Sequence, residues 1–165
     1  MAKHAILRID NMQATYDFSL LRSGLFYAND ELADVDNGTA VEVGALLEGE
    51  RELRKLVAAA DATKAIGIVT TPELDSTLDV ETSDLAEYYT KAGTAARVHL
   101  LQIGDIFSLS VEGFTAAPTV GAEVGVTNGE WDTAAKTKIG KCIAIDKVSG
   151  TDLYVIEIAP NKVNQ

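Results

Sequence analysis

Alternation of apolar and polar residues dominates the second half of the chain and predicts strands. Ile103, Phe107, Leu109 and Val111 share one parity while Ser108 and Ser110 take the other, the period of a half-buried strand. Arg97–Gln102 leads into this run as another extended segment. Val120, Ala122, Val124 and Val126 repeat the pattern between Pro118 and an Asn128–Gly129 turn. The last two runs read as a hairpin, with Ile139, Ile143 and Ile145 on one face, a turn at Ser149–Gly150, then Tyr154, Ile156 and Ile158. Strands of this length and spacing indicate a closed or nearly closed barrel, which hides the edges on which sheets aggregate. Its core is expected at residues 95–159, with Ile103, Phe107, Leu109, Val124, Val126, Ile143, Ile145, Tyr154, Ile156 and Ile158 inside.

The first half is less regular. Asp36–Asn37–Gly38 is a turn signal, and Val41, Val43 and Ala45 alternating with Glu42 and Gly44 predict a strand after it. Ala65 to Thr70 reads as a strand stopped at Pro72. In Glu50 to Ala60, Leu53, Leu56, Val57 and Ala60 fall at helical spacing among extended neighbours, which predicts a short helix there. Thr82 or Ser83 can cap a helix through Lys91, with Leu85, Tyr88 and Tyr89 on one side and Gly93 as its stop. The fold class is therefore mainly β: a small β-barrel with one short helix and an N-terminal arm. The arm is residues 1–24, and residues 25–165 form a single β-rich domain. Ile6, Leu7, Ile9, Tyr16 and Phe18 stud the arm without a self-contained pattern, so it is expected to order against something else, its own domain or a neighbour, and as a docking arm to contribute little to the stability of the free domain.

Composition narrows the function. A chain of 165 residues buries enough surface for one domain without staples. A net charge of −11 with no basic stripe argues against nucleic acid, whose binding draws on Lys and Arg at phosphates. Acidic residues crowd Asp30 to Glu52, whereas Lys3, Arg8 and Arg22 make the start mildly basic; the crowding reads first as a solvated face. No stretch reaches the length of a membrane span, and Met1 to Leu21 lacks the pattern of a signal peptide, so a soluble protein, unexported by that route, is expected.

Candidate chemistry is sparse. No phosphate-cradling glycine loop and no G-x-S-x-G elbow occur. Of the two histidines, His4 and His99, the second alternates with Val98 and Leu100 and reads as a surface or interface imidazole. Cys142, the single cysteine, cannot form an internal disulfide and reads as a buried packing residue. One cysteine and two distant histidines give no zinc set, and Asp34, Asp36, Asn37 and Glu42 miss the spacing of a calcium loop. Asp105 and Glu157 are strand-borne carboxylates without a signalled cleft, and Trp131 is either a buried plug or an interface anchor. The expectation is no enzyme, no catalytic residue, no cofactor and no metal.

A family resemblance adds to this. The run Asp36–Asn37–Gly38–Thr39–Ala40–Val41–Glu42–Val43–Gly44–Ala45–Leu46–Leu47–Glu48–Gly49–Glu50–Arg51–Glu52 resembles head proteins of tailed bacteriophages. Thr71–Pro72–Glu73–Leu74, Lys91 to Arg97, Gly104 to Ser108, Lys138 to Cys142 and Tyr154 to Ile158 follow in the same order. The resemblance is to head decoration, or auxiliary capsid, proteins. It implies a structural virion protein that binds the outer surface of an assembled capsid and stabilises it, with the major capsid protein as partner, a homotrimer as its own assembly, and no nucleic acid or membrane contact. It also implies an extended Glu50 to Ala60, against the helical spacing. The alternative reading is a tail- or baseplate-associated module that recognises a host surface glycan through Trp131, Tyr88, Tyr89 and Tyr154.

Overall fold

The computed structural model describes residues 3–73 and 84–158. Among these residues twelve strands run in chain order as β1 (Leu7–Asn11), β2 (Leu21–Ala28), β3 (Glu31–Leu32), β4 (Ala40–Leu46), β5 (Leu53–Ala58), β6 (Gly67–Val69), β7 (Ala96–Leu100), β8 (Ile106–Ser110), β9 (Glu123–Thr127), β10 (Glu130–Asp132), β11 (Lys138–Val148) and β12 (Thr151–Ile158). The helical residues among those described lie in four 3-10 turns. The fold is mainly β, as the alternation predicts.

The strands form two sheets. β2, β5, β4, β6 and β7 pair in that order, and β7 pairs back onto β2, so five strands close a barrel; β3 extends β2 at its far end. All the ring pairings are antiparallel except β2–β5, where Ser23 to Tyr27 run parallel to Leu53 to Val57. The barrel is narrow: a Cβ on Gly24 would lie 2.4 Å from the Arg54 carbonyl oxygen and 2.6 Å from Leu56 Cγ. Val41, Leu56, Val69, Ala96 and Val98 fill its lumen. The second sheet is open and antiparallel, in the order β1-β8-β12-β11-β9-β10.

The core lies between them. Ala40, Ala59, Ile66 and Ile68 on the outside of the barrel join Phe107, Leu109, Val124, Trp131, Cys142 and Ile156 of the open sheet in one buried cluster. β6 is consequently buried on both faces, Val69 inward and Ile68 toward the open sheet, which is why its sequence reads as an unbroken apolar run. Trp131 ties the two sheets: it is fully buried, its ring centroid lies 5.0 Å from that of Phe107, and its Nε1–H donates to the Gly38 carbonyl at 3.0 Å.

Several expectations are corrected. The barrel is not built from residues 95–159; of that stretch only β7 enters it, while β8 to β12 make the open sheet with β1. Closure depends on the parallel β2–β5 pair, a long-range pairing that local alternation does not encode. The described part of the first segment, residues 3–24, orders against its own domain: β1 pairs with β8, and Ala5, Met12 and Ala14 are buried. Residues 53–58 form a strand, and the helical spacing there arises because β5 places Leu56 in the lumen and leaves its neighbours half-covered outside. The helix through Lys91 is reduced to a 3-10 turn at Leu85–Glu87, capped by Asp84; the proposed caps Thr82 and Ser83 lie outside the described residues. A helix would need Ala86 C=O to accept from Thr90 N–H. Instead His4 N–H donates to Ala86 C=O at 2.7 Å and Thr90 N–H donates to Val35 C=O at 2.8 Å.

Turn chemistry sets three hairpins. Asn29–Asp30, Asn128–Gly129 and Ser149–Gly150 all have positive φ at both positions, the two-residue turn whose twist matches antiparallel strands. Asp36–Asn37–Gly38 differs. Thr39 N–H donates to Asp36 C=O at 3.3 Å with only Gly38 at positive φ (89°), so the turn changes direction without making a hairpin. The Asn37 side chain holds Thr71 instead, donating to its C=O at 2.8 Å and accepting from its N–H at 2.9 Å.

Candidate protein-docking surface

Between β1 and β2 the chain makes two consecutive 3-10 turns, Gln13–Thr15 and Phe18–Leu20. Beneath them Met12 and Ala14 are fully buried, and Gln13 N–H donates to Asp105 Oδ1 at 2.9 Å. Asp105 also accepts from Gln102 N–H at 2.7 Å, so this buried carboxylate staples the turns to the loop before β8. At the apex the Asp17 side chain accepts from Ser19 N–H at 3.0 Å, and the Ser19 bonds hold its carboxyl below the usual range. Arg22 closes the far side by donating to the Leu21 carbonyl at 2.8 Å and to that of Ser19.

This support holds two aromatic side chains out in water: Tyr16 is 79% exposed and Phe18 78%. The other members of the predicted arm set behave differently. Ile6 and Leu7 are half-buried in or beside β1, Leu7 packing on the core, and Ile9 is 40% exposed at the margin of the open sheet. The five residues are therefore divided: Tyr16 and Phe18 stand exposed on the 3-10 turns, Leu7 and Ile9 belong to β1, and Ile6 directly precedes it. Sequence reasoning finds no capping pattern in this segment; Asp17 two residues before Ser19 is the local signal it misses, and neither Arg22 nor Asp105 has a sequence signal for its supporting role.

Elsewhere the candidate groups serve the fold. Arg8 on β1 donates to Asp10 and to Asp146 at 2.6 Å each, and to Ser108 at 3.0 Å, a polar network across the outer face of the open sheet. The acidic stretch is divided: Asp30 pairs with Lys55 at 2.7 Å, Asp34 accepts from Ala92 N–H, Asp36 takes His4 Nδ1 at 2.7 Å, and Glu42 pairs with Lys64. Glu48, Glu50 and Glu52 remain exposed in the β4–β5 loop. No group of acidic, histidine or cysteine side chains able to hold a metal occurs among the described residues.

His99 is not at the surface. The alternation is present, with Val98 in the lumen and His99 outside, but that outer face lies against the open sheet; His99 is 3% exposed and bonded to Thr70 Oγ1. Burial, with a smaller effect of the Arg97 charge, lowers its pKa, and Asp105 opposes the shift. Cys142 is buried, as expected, and burial raises its pKa. Trp131 and Tyr154 are inside the core while Tyr88 and Tyr89 are half-covered, Tyr89 stacked on His4 at 4.5 Å, so these rings do not converge on an exposed sugar-binding platform. No helix among the described residues is long and apolar enough to cross a membrane.

A family model described as YonC prophage protein matches residues 9–146. The chain belongs to the YonC prophage protein family. That makes it a phage-derived protein; the match takes in the Tyr16–Phe18 turns, the whole five-stranded barrel and the open sheet as far as β11, and stops before β12. No curated protein and no solved structure matches the chain.

Proposed function

We propose that this protein is a structural component of a phage particle that attaches to the outer surface of the assembled capsid and stabilises the shell. The observation that carries the reading is the Tyr16–Phe18 apex, two aromatic rings held almost fully in solvent by a capped, stapled turn. Exposed aromatic side chains on a rigid support are the usual anchors of protein interfaces, because they bury much area and lose little freedom on docking. Membership of a prophage family makes the chain a phage gene product, and the resemblance of its sequence motifs to those of head decoration proteins favours the capsid as the site of attachment. In this reading the partner is the major capsid protein and the surface recognised spans several capsid subunits.

Cosedimentation tests it. The protein should pellet with empty expanded heads and stay in the supernatant with free capsid subunits. Absence from the pellet at micromolar protein contradicts the reading.

A further inference from the structure

The open sheet is unfinished beside its longest strand. β12 accompanies β11 along almost all its length, but β9 pairs with it only from Lys138 to Lys141, and loop bonds from Gly121 and Ala122 reach only to Cys142. Beyond this, from Ile143 to Val148, no strand among the described residues lies on that side. The direction of the backbone groups there follows from the ladder. Ile158 exchanges bonds with Gly104 and Asp105 on the β8 side, so alternate β12 residues from that point face β8, and Thr151, Leu153 and Val155 face β11. Their partners Val148, Asp146 and Ala144 therefore bond inward, which leaves the N–H and C=O of Ile145 and Lys147 pointing out of the open edge.

The side chains end there as well. Leu109, Tyr154 and Ile145 stand in one cross-strand row on the core face, and exposure rises along it from 0% through 9% to 43%. Ile143 and Val148 are 41% and 44% exposed. Charge does not guard the edge, since Asp146 is paired with Arg8 at 2.6 Å and Lys147 with Asp152 at 3.6 Å. In a chain of net charge −11, this apolar, internally neutralised edge is a place where two copies can meet without strong repulsion.

We propose that the edge pairs antiparallel with the same edge of a second copy, about a twofold axis at Ile145. The register follows by exclusion. Centring the axis on Asp146 or Lys147 sets like charges directly opposite. Centring it on Ala144 sets Lys147 against the partner's Lys141, and centring it on Ile143 drives the incoming strand into β9. At Ile145 the outward N–H and C=O of each copy bond the other, Asp146 faces the partner's Ala144, and Lys147 faces the partner's Ile143. The row Leu109–Tyr154–Ile145 then continues without a break into the partner's Ile145. Such an interface is isologous and closed. It gives a dimer where the decoration-protein resemblance implies a trimer, and it stands independently of capsid attachment.

Native mass spectrometry of the full chain over a concentration series is the test, with hydrogen exchange followed at the same concentrations. The expected result is a species at twice the 17.5 kDa chain mass that dissociates on dilution, with the amides of Ile145 and Lys147 slowing as it forms. Ile145→Lys, at a position already partly in water, should leave only monomer where the parent is dimeric. A monomer throughout the series, a trimer, or a dimer in which those two amides gain no protection overturns the proposal. Should the variant lose its β circular dichroism, exchange in the parent protein decides alone.

Discussion

Replacing Trp131 tests whether the barrel and the open sheet are one cooperative body. The residue is fully buried, packs on Phe107 and donates to the Gly38 carbonyl at the turn leading into β4. Trp131→Ala removes the largest fully buried side chain among those described, and core truncations of this size cost about 3–5 kcal/mol. It also leaves the Gly38 carbonyl without its side-chain donor, a loss on the order of 1–3 kcal/mol that overlaps with the first figure. The turn cannot close up to compensate, since a Cβ on Gly38 would already lie 2.2 Å from Leu109 Cδ1. Trp131→Phe keeps a ring and loses the donor, so about 1–3 kcal/mol is expected from that variant. Urea unfolding followed by far-ultraviolet circular dichroism is the assay, because Trp131 is the single tryptophan and its fluorescence disappears with it. For slopes of about 1–3 kcal/mol/M, the Ala variant should lower the midpoint by roughly 1 M or more with slope unchanged and one transition. A smaller loss for Ala than for Phe, or two separated transitions, would refute the claim that the sheets share one core.

Three further outcomes follow from the same contacts. Deleting residues 1–12 removes β1 and the buried Ala5 and Met12, so the truncated chain should lose much of its thermal stability; an unchanged melting temperature would restore the detached arm. The Cys142 thiol, buried and with its pKa raised by burial, should react slowly with a disulfide reagent in the native state and quickly in denaturant, and equal rates would mean that the strand's faces are reversed. Burial holds the pKa of His99 below its unfolded value of about 6.5, so stability present above that pH is lost as pH falls through it toward the folded value. The midpoint should drop between about pH 7.5 and 5.5, and His99→Gln should flatten this dependence; an identical slope in the variant would exclude His99 as its source.

What was legible in the sequence is local. Two-residue periods, the Ser149–Gly150 and Asn128–Gly129 turns and the burial of Phe107, Leu109, Ile156 and Cys142 were readable because each depends on neighbours in the chain. What was not legible depends on partners. Ile143 and Ile145 share the parity of Ile139, yet the pairing slips between Cys142 and Ala144, so Ile143 becomes an extra residue and the strand beyond it outruns β9. Both are exposed as a result, as is Ile103 in the loop before β8. For His99, alternation identified two faces but not that the second sheet would cover the outer one. In the docking set, Tyr16 and Phe18 looked like Ile6, Leu7 and Ile9 because only pairing with β8 distinguishes a strand from an apex.

The central claim, attachment to a phage shell through the aromatic apex, is tested most directly by quantitative cosedimentation of the parent and a Tyr16→Ala, Phe18→Ala double variant with empty expanded heads. Both side chains are largely in solvent, so the variant should fold and melt like the parent. If the rings are interface anchors worth about 2 kcal/mol or more each, binding should weaken by roughly 30-fold per ring. Parent protein that saturates the heads while the folded double variant remains in the supernatant is the predicted result. Equal binding of the two proteins, or no binding of the parent, would contradict the account.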